Sequence, residues 1–367
     1  MQHLKRINDH YYRILGEPSS HVHRYIFTSP ETRAICNQPE VLGCEYTDNM
    51  SRAMVKALKL LPNGTTPWKE KETCVLNFLR GGLNFDLRKA IRQAWGFNTH
   101  ATSFMSSQRF RKDGRWGVTE NQYRKFIFPK DAVMFIGDVV ATGVTIEEGM
   151  KVILDAMEKN GSSLKRLYFF TFGCHKVEKV LDDLHVACKE RFKNFDHITV
   201  IYLEGKFRLA DSKTTLRISI PGTDLLRTDA LVAPEFALSQ YDALSHALER
   251  CIIYDAGSRS FDIPEYSQDV IGYWEQVRKL AEQGFTLHDA LMERWPEKAV
   301  PFEAFASLKR EAWPDIEESL LKRLYGRSQE RLELMEASNS ADALVGLCDR
   351  QIAKMDDISS GEGTGTA

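Results

Sequence analysis

Residues 133–145 read VMFIGDVVATGVT. Four apolar residues lead into a glycine, an acid, two valines and a turn of small and hydroxyl residues. Ile146, Met150, Ile153 and Met157 then follow at spacings of four, three and four. An unbroken apolar run of this kind is the pattern of a strand buried on both faces, and the later spacing places four side chains on one helical face. The stretch predicts a strand, a tight turn and a helix, with Asn160-Gly161 as the stop. Backbone N–H groups at such a helix start point outward along the helix dipole. Gly143 permits close approach, Ala141 and Val144 present backbone, and Thr142 and Thr145 add hydroxyl donors, all of which suits a phosphate. Asp138, at the carboxyl end of the strand, can accept from ribose hydroxyls or hold a hydrated magnesium ion. The competing reading is that Thr142 or Thr145 only caps the helix and Gly143 only makes the turn.

The same alternation extends in both directions. CVLNFL (74–79), AVMFI (132–136), LYFFTF (167–172) and ITVIY (198–202) read as strands, and residues 176–193 form a second helical pattern with Val180, Leu184 and Cys188 inward. Two consecutive βαβ units predict an α/β fold, a parallel sheet flanked by helices. Residues 1–65 read as mostly helical, with Met50, Met54, Leu58 and Leu61 as a stripe packing on the sheet. Beyond about residue 225, segments near 238–252, 266–283, 302–312 and 315–336 have helical spacing punctuated by Pro264, Pro296, Pro301 and Pro314. The expected organisation is an α/β domain over 1–225, a helical domain over 226–355 and a frayed polar tail over 356–367.

A second glycine turn follows CVLNFL. Arg80, Gly81 and Gly82 let backbone amides approach an anion and add a charge, although a tight turn with a solvated arginine is the plainer reading. Between the two turns, ATSFM (101–105) and RKFIF (124–128) read as antiparallel strands. They flank a polar excursion carrying Ser106, Ser107, Arg109, Arg111, Lys112 and Arg115. Such an excursion inside a compact domain reads as a functional lid.

The stretch from Val133 to Thr145 resembles the 5-phosphoribosyl-1-diphosphate (PRPP) motif of type I phosphoribosyltransferases. That motif has an apolar strand, an acidic pair, two apolar residues, a variable residue and then Thr-Gly-x-Thr. The resemblance covers about residues 45–225. It implies that Ala141 to Thr145 hold the 5′-phosphate, that Asp138 holds the ribose, and that Arg80, Gly81 and Gly82 hold the pyrophosphate. It further implies Mg2+ bridging the diphosphate and a nitrogenous base or similar acceptor. The excursion then corresponds to the catalytic loop, with Arg109 and Arg111 stabilising the charge on departing pyrophosphate. Residues 203–226 correspond to the variable hood over the acceptor, where Phe207 is either a ring partner or a core residue. Two positions depart from the pattern. Gly137 stands where the first acid is expected, and Ala141 stands where some purine-specific members carry an acid. The missing acid keeps open a non-catalytic PRPP or nucleotide sensor acting through the helical domain, and also cleavage of a related ribose phosphate by water.

Composition sets the remaining bounds. With 43% hydrophobic and 27% charged residues the chain can form a core and stay in solution, and a net charge of −2 gives no general attraction to nucleic acid. The seven cysteines are scattered without a CxxC pair, which reads as free thiols in the cytoplasm. No apolar run approaches the roughly eighteen residues needed to span a bilayer. His21 and His23 read as surface histidines, Cys174 and His175 as loop residues with a possible substrate contact, and Trp274, Trp295 and Trp313 as packing anchors. The helical part is a candidate surface for a second copy or a protein partner.

Overall fold

The four apolar runs form the middle of one large sheet. The computed structural model describes residues 1–17, 20–62, 69–106, 109–112, 115–118, 123–141, 143–250, 257–337 and 339–360. In chain order the first elements are β1 (His3–Arg6), β2 (Tyr11–Leu15), β3 (His23–Phe27), α1 (Pro30–Asn37), α2 (Gly43–Lys59), β4 (Thr73–Leu79), α3 (Leu87–Trp95) and β5 (Ala101–Ser106). A hairpin of β6 (Arg109–Lys112) and β7 (Arg115–Val118) precedes β8 (Arg124–Lys125), β9 (Asp131–Val140), α4 (Val144–Lys159), β10 (Ser163–Cys174), α5 (Lys176–Arg191), β11 (His197–Leu209) and β12 (Leu225–Val232). Eight helices follow: α6 (Pro234–Ser239), α7 (Leu244–Leu248), α8 (Ser258–Phe261), α9 (Ile263–Glu282), α10 (Leu287–Arg294), α11 (Phe302–Ala312), α12 (Glu318–Ala337) and α13 (Ala341–Ser359).

The sheet order is β1-β2-β3-β11-β10-β9-β4-β5-β8, with β12 added to β11. The six strands from β3 to β5 are parallel, and β1, β2, β8 and β12 pair antiparallel at the margins. The fold class is therefore the expected α/β sheet flanked by helices, with an antiparallel lid base and a helical C-terminal part. Strand alternation sorts the layers. Gly149 of α4 abuts the ring of Phe78 on β4, whereas Phe85 abuts Gly137 on β9, one residue past Ile136, the partner of Leu76 on β4. Neighbouring positions along a strand face opposite sides, so α4 lies over one face and the Phe85 turn with α3 over the other. The stripe Met50, Met54, Leu58 and Leu61 is buried, as are Ile146, Met150, Ile153 and Met157.

The N-terminal expectation needs correction, because residues 1–65 contain three strands before their two helices. Tyr11, Tyr12 and Ile14 are buried around exposed Arg13, a period of two interrupted by a second tyrosine, and β3 pairs with β11 from far along the chain. β11 divides its edge, using Thr199–Leu203 for β3 and Gly205–Leu209 for β12. The break falls at Glu204, whose φ of 66° is left-handed and disfavoured for a residue with a Cβ. Its buried carboxylate is held by Thr28, Thr32 and the backbone N–H of Ser29, the N-cap of α1. That carboxyl is pushed up to about 7, chiefly by burial and against the pull of Arg33 and these donors.

β12 begins at Leu225, where the helical part was expected to begin, and the helices that follow serve two cores. Phe305, Trp313, Leu321 and Leu324 join the sheet core, whereas α9, α10 and α13 enclose Trp274, Leu291, Leu344 and Met355 in a second. Met355 lies in a helix that continues to Ser359, past the point where fraying was expected. Buried arginines join the parts. Arg259 donates to the carbonyls of Ile35, in the last turn of α1, and of Gln38 and Val41 after it, and Arg294 pairs with Asp224 at 2.7 Å.

Candidate functional site

β9 carries the chain from the core to the site, and its last turn decides what the site can hold. Val133 to Ile136 are fully buried between the helical layers. Asp138 is 9% exposed, and its Oδ1 accepts from the backbone N–H of Val139 at 2.8 Å. The chain then turns at Gly143, whose φ of 84° is left-handed and natural only to glycine. Gly143 is the N-cap of α4, so no side chain at that position caps the helix, and the first helical bond runs from Glu147 N to Gly143 O at 3.0 Å. The N–H groups of the first turn are thus presented at the helix start, with the positive end of a sixteen-residue helix behind them. Val144 and Thr145 are its first two residues, and Thr145 is buried. Thr142 lies outside the described residues.

Neighbouring elements fix this turn. A Cβ on Gly143 would stand 3.0 Å from Val180 of α5, so the turn is packed against that helix. Cys174, at the end of β10, donates its thiol to the carbonyl of Ala141 at 3.2 Å. Burial pushes the Cys174 thiol up, so it is a structural tie rather than a nucleophile. His175 beside it is exposed, and its imidazole pKa is lowered by partial burial and then by Lys176.

The second turn, after β4, packs on β9. Gly81–Phe85 form one short 3-10 turn, and the Leu79–Arg80 peptide bond is cis. A Cβ on Gly82 would lie 3.1 Å from the carbonyl oxygen of Gly137, so the backbone of this turn touches β9 next to Asp138. Arg80 is exposed at the head of this turn. Sequence reasoning missed Phe85: a Cβ on Gly137 would fall inside its ring. The position of the expected first acid is thus occupied by an aromatic side chain, and an acid there requires Phe85 to move. Only the paired apolar character of FDL after the glycines hinted at it.

The polar excursion between the two turns is partly placed. β5 and β8 pair antiparallel as expected, and between them β6 and β7 form their own hairpin, with β7 against α4. Arg109 and Arg111 lie on β6, with side chains outside the described residues. Phe207 belongs to the core, edge-on to Phe236, and so is not exposed to stack on a ligand. His21 and His23 are exposed and stack on His185 and His197. No group of three His, Cys, Asp or Glu among the described residues is arranged to hold a metal ion. The six described cysteines are free, and no helix among the described residues is long and apolar enough to cross a membrane.

No family model matches the chain, and no curated protein does. Solved structures of low similarity do. Adenine phosphoribosyl transferase from Trypanosoma brucei, in complex with AMP, pyrophosphate and ribose-5-phosphate, is 15% identical over 55% of this chain and 86% of its own, with a TM-score of 0.31. Purine phosphoribosyltransferase from Pyrococcus horikoshii is 14% identical over 43% of this chain and 85% of its own, with a TM-score of 0.24. Hypoxanthine phosphoribosyltransferase from Staphylococcus aureus is 17% identical over 44% of this chain and 76% of its own, also at 0.24. Superpositions this loose leave the chemistry of this chain to its own residues.

Proposed function

We propose that the protein binds PRPP and transfers its phosphoribosyl group to a nitrogen nucleophile, releasing pyrophosphate. The observation that carries this reading is the pair of glycine-bearing turns at the carboxyl ends of adjacent parallel strands, the second of which touches β9 next to Asp138. One presents the start of α4 through left-handed Gly143, and the other presents Arg80 to Gly82. Two anion-holding turns beside one carboxylate match a ligand with a phosphate at one end, a diphosphate at the other and hydroxyls between. In this reading Ala141 to Thr145 hold the 5′-phosphate, Asp138 the ribose hydroxyls, and Arg80 to Gly82 the diphosphate.

In the transfer, the acceptor nitrogen forms a bond to ribose C1 while the C1–O bond to the diphosphate breaks. The electron pair leaves with pyrophosphate, and the nitrogen gives up its proton. Positive charge at the sugar and negative charge on the leaving group reward cations and excluded water, the roles assigned to Arg109 and Arg111 on the β6–β7 hairpin. A magnesium ion, when bound, neutralises diphosphate charge. With one carboxylate in place, Asp138 can only share a cation that arrives on the substrate, a common way for proteins to hold magnesium.

Phe85 over Gly137 favours a second reading, in which PRPP or a nucleotide is bound without turnover and sensed through the helical part. Incubation with PRPP, magnesium and a panel of bases while pyrophosphate is measured separates the two. Release with one acceptor establishes transfer. PRPP binding without release establishes the sensor. Absence of PRPP binding overturns both.

A further inference from the structure

A cleft of about 520 Å³ lies on the α3 side of the sheet and reaches the turn after β4 at Leu83. It runs along α3 beside β5. Its polar lining includes Arg88, Lys89 and Arg92, with Asp86 as a single acid, and the uncharged Asn77, Asn98, His100 and Thr102. Asn98 and His100 enter at the N-terminal end of β5, the end of the sheet opposite Gly143. Pockets of roughly 300–1,000 Å³ with a few converging polar groups are the usual form of a small-molecule site.

Three features indicate what this one takes. Arg88 and Arg92 are exposed one helical turn apart on α3, and neither forms an ion pair among the described residues. His100 is only 7% exposed, yet its buried ring nitrogens make no well-formed hydrogen bond, with the backbone at Phe97 as a weak partner only, and the hydroxyl of Thr102 is buried without one. Folded chains rarely leave such groups unpaired, and a cluster of them lining a cavity points to a ligand that pairs them. The loop ahead of His100 is also held in place, because Glu70 accepts from the backbone N–H groups of Asn98 and Thr99. The one acid in the lining, Asp86, is engaged by Ser51 at 2.9 Å and lies 3.7 Å from Lys89. Leu83 and Phe104 add an apolar end.

We propose that this cleft is a second anion site, taking a nucleotide-sized phosphate ester with its phosphate between Arg88, Arg92 and His100 and its apolar part toward Leu83 and Phe104. Two guanidiniums from α3 and an imidazole from the residue before β5 form the donor set that phosphate prefers. The cleft borders the proposed PRPP site at the turn after β4 through Leu83.

Protonation gives an independent handle. His100 is held below its ordinary pKa, first by burial and then by the charge of Arg88, with Glu70 and the backbone at Phe97 pulling the other way. Lys89 and Arg92 on α3 add positive charge on the same side, and Asp86 opposes it. An anion seated beside the ring reverses the balance and favours imidazolium. Binding therefore takes up a proton and tightens as pH falls from 7 toward 5.

The test is calorimetric titration with AMP, and in parallel with inorganic phosphate, on the wild-type chain, R88A/R92A, H100Q and T142A. Expected is loss of at least tenfold in AMP affinity at one site in R88A/R92A, with that site intact in T142A. In H100Q the pH dependence of that site disappears. Because H100Q alters a buried position, the proton resonance of His100 in the wild type is followed as well, and its titration moves to higher pH when AMP is added. AMP binding that R88A/R92A leaves unchanged, or a His100 titration indifferent to AMP, overturns the site. If instead the proposed PRPP site is absent, T142A changes nothing and the single AMP bound is lost in R88A/R92A, so the two failures are distinguishable.

Discussion

After β9 the chain turns through left-handed Gly143 directly into the sixteen residues of α4, whereas after β4 it passes through the 3-10 turn Gly81–Phe85 and left-handed Asp86 before the nine residues of α3. Both turns are glycine-bearing and both leave parallel strands, yet they use their residues differently. The first gives its backbone to an uncapped helix start. The second gives Gly82 to close approach and Phe85 to packing over Gly137, leaving Arg80 as its exposed cation. The lost acid at 137 is thus explained by the other turn: the ring of one strand's turn fills the space that a side chain on the neighbouring strand would need.

The strongest test of that dependence is Gly137→Asp. The new side chain meets the Phe85 ring and places an unpaired carboxylate in the core, so unfolding in urea is expected to show a loss of about 3–5 kcal/mol. Phe85→Ala alone costs a similar ~3–5 kcal/mol through the cavity it leaves. The double variant should lose clearly less than the sum, with a coupling of about 1 kcal/mol or more, and should bind PRPP more tightly than F85A does. Strict additivity would break the link between the turns. Next in size is Gly143→Val. A β-branched residue in left-handed backbone, pressed toward Val180, is expected to cost about 2 kcal/mol and to abolish PRPP binding by moving the amides. Asp138→Asn preserves shape while removing charge. It should leave stability within about 1 kcal/mol and weaken PRPP roughly tenfold, because a hydrogen bond to a charged group is worth about 1.5–3 kcal/mol.

The contrast between the turns also marks what the residues alone disclose. β9, its turn and α4 were legible because a local apolar run, a Thr-Gly pair and a 4-3-4 spacing agree within about twenty-five residues, and local agreement needs no knowledge of partners. Gly137 was visible as a departure but not as a consequence, because Phe85 reaches it across the sheet from fifty-two positions away. The N-terminal strands were read as helix for a related reason. HLKR, YYRIL and HRYIF are four or five residues long and carry charges, and β3 is stabilised by pairing with β11 rather than by its own pattern. The basic cleft is hidden in the same way, since His100 acquires meaning only once α3 brings Arg88 and Arg92 alongside.

Arg80→Ala should have the smallest effect on the fold and sharpens the comparison most. The side chain is exposed and makes no ion pair among the described residues, so the urea midpoint should move by no more than about 0.5 kcal/mol. If the turn after β4 holds the diphosphate, pyrophosphate affinity should fall roughly three- to tenfold. That difference should shrink as salt is raised, because an exposed guanidinium acts through a field that ions screen within about 10 Å at 0.1 M. If pyrophosphate binding is unchanged in R80A at low salt while PRPP binding is lost in G143V, the two turns differ in kind. The turn after β9 would then be the ligand cradle, and the turn after β4 a packing element whose glycine serves Gly137 and whose phenylalanine excludes the acid.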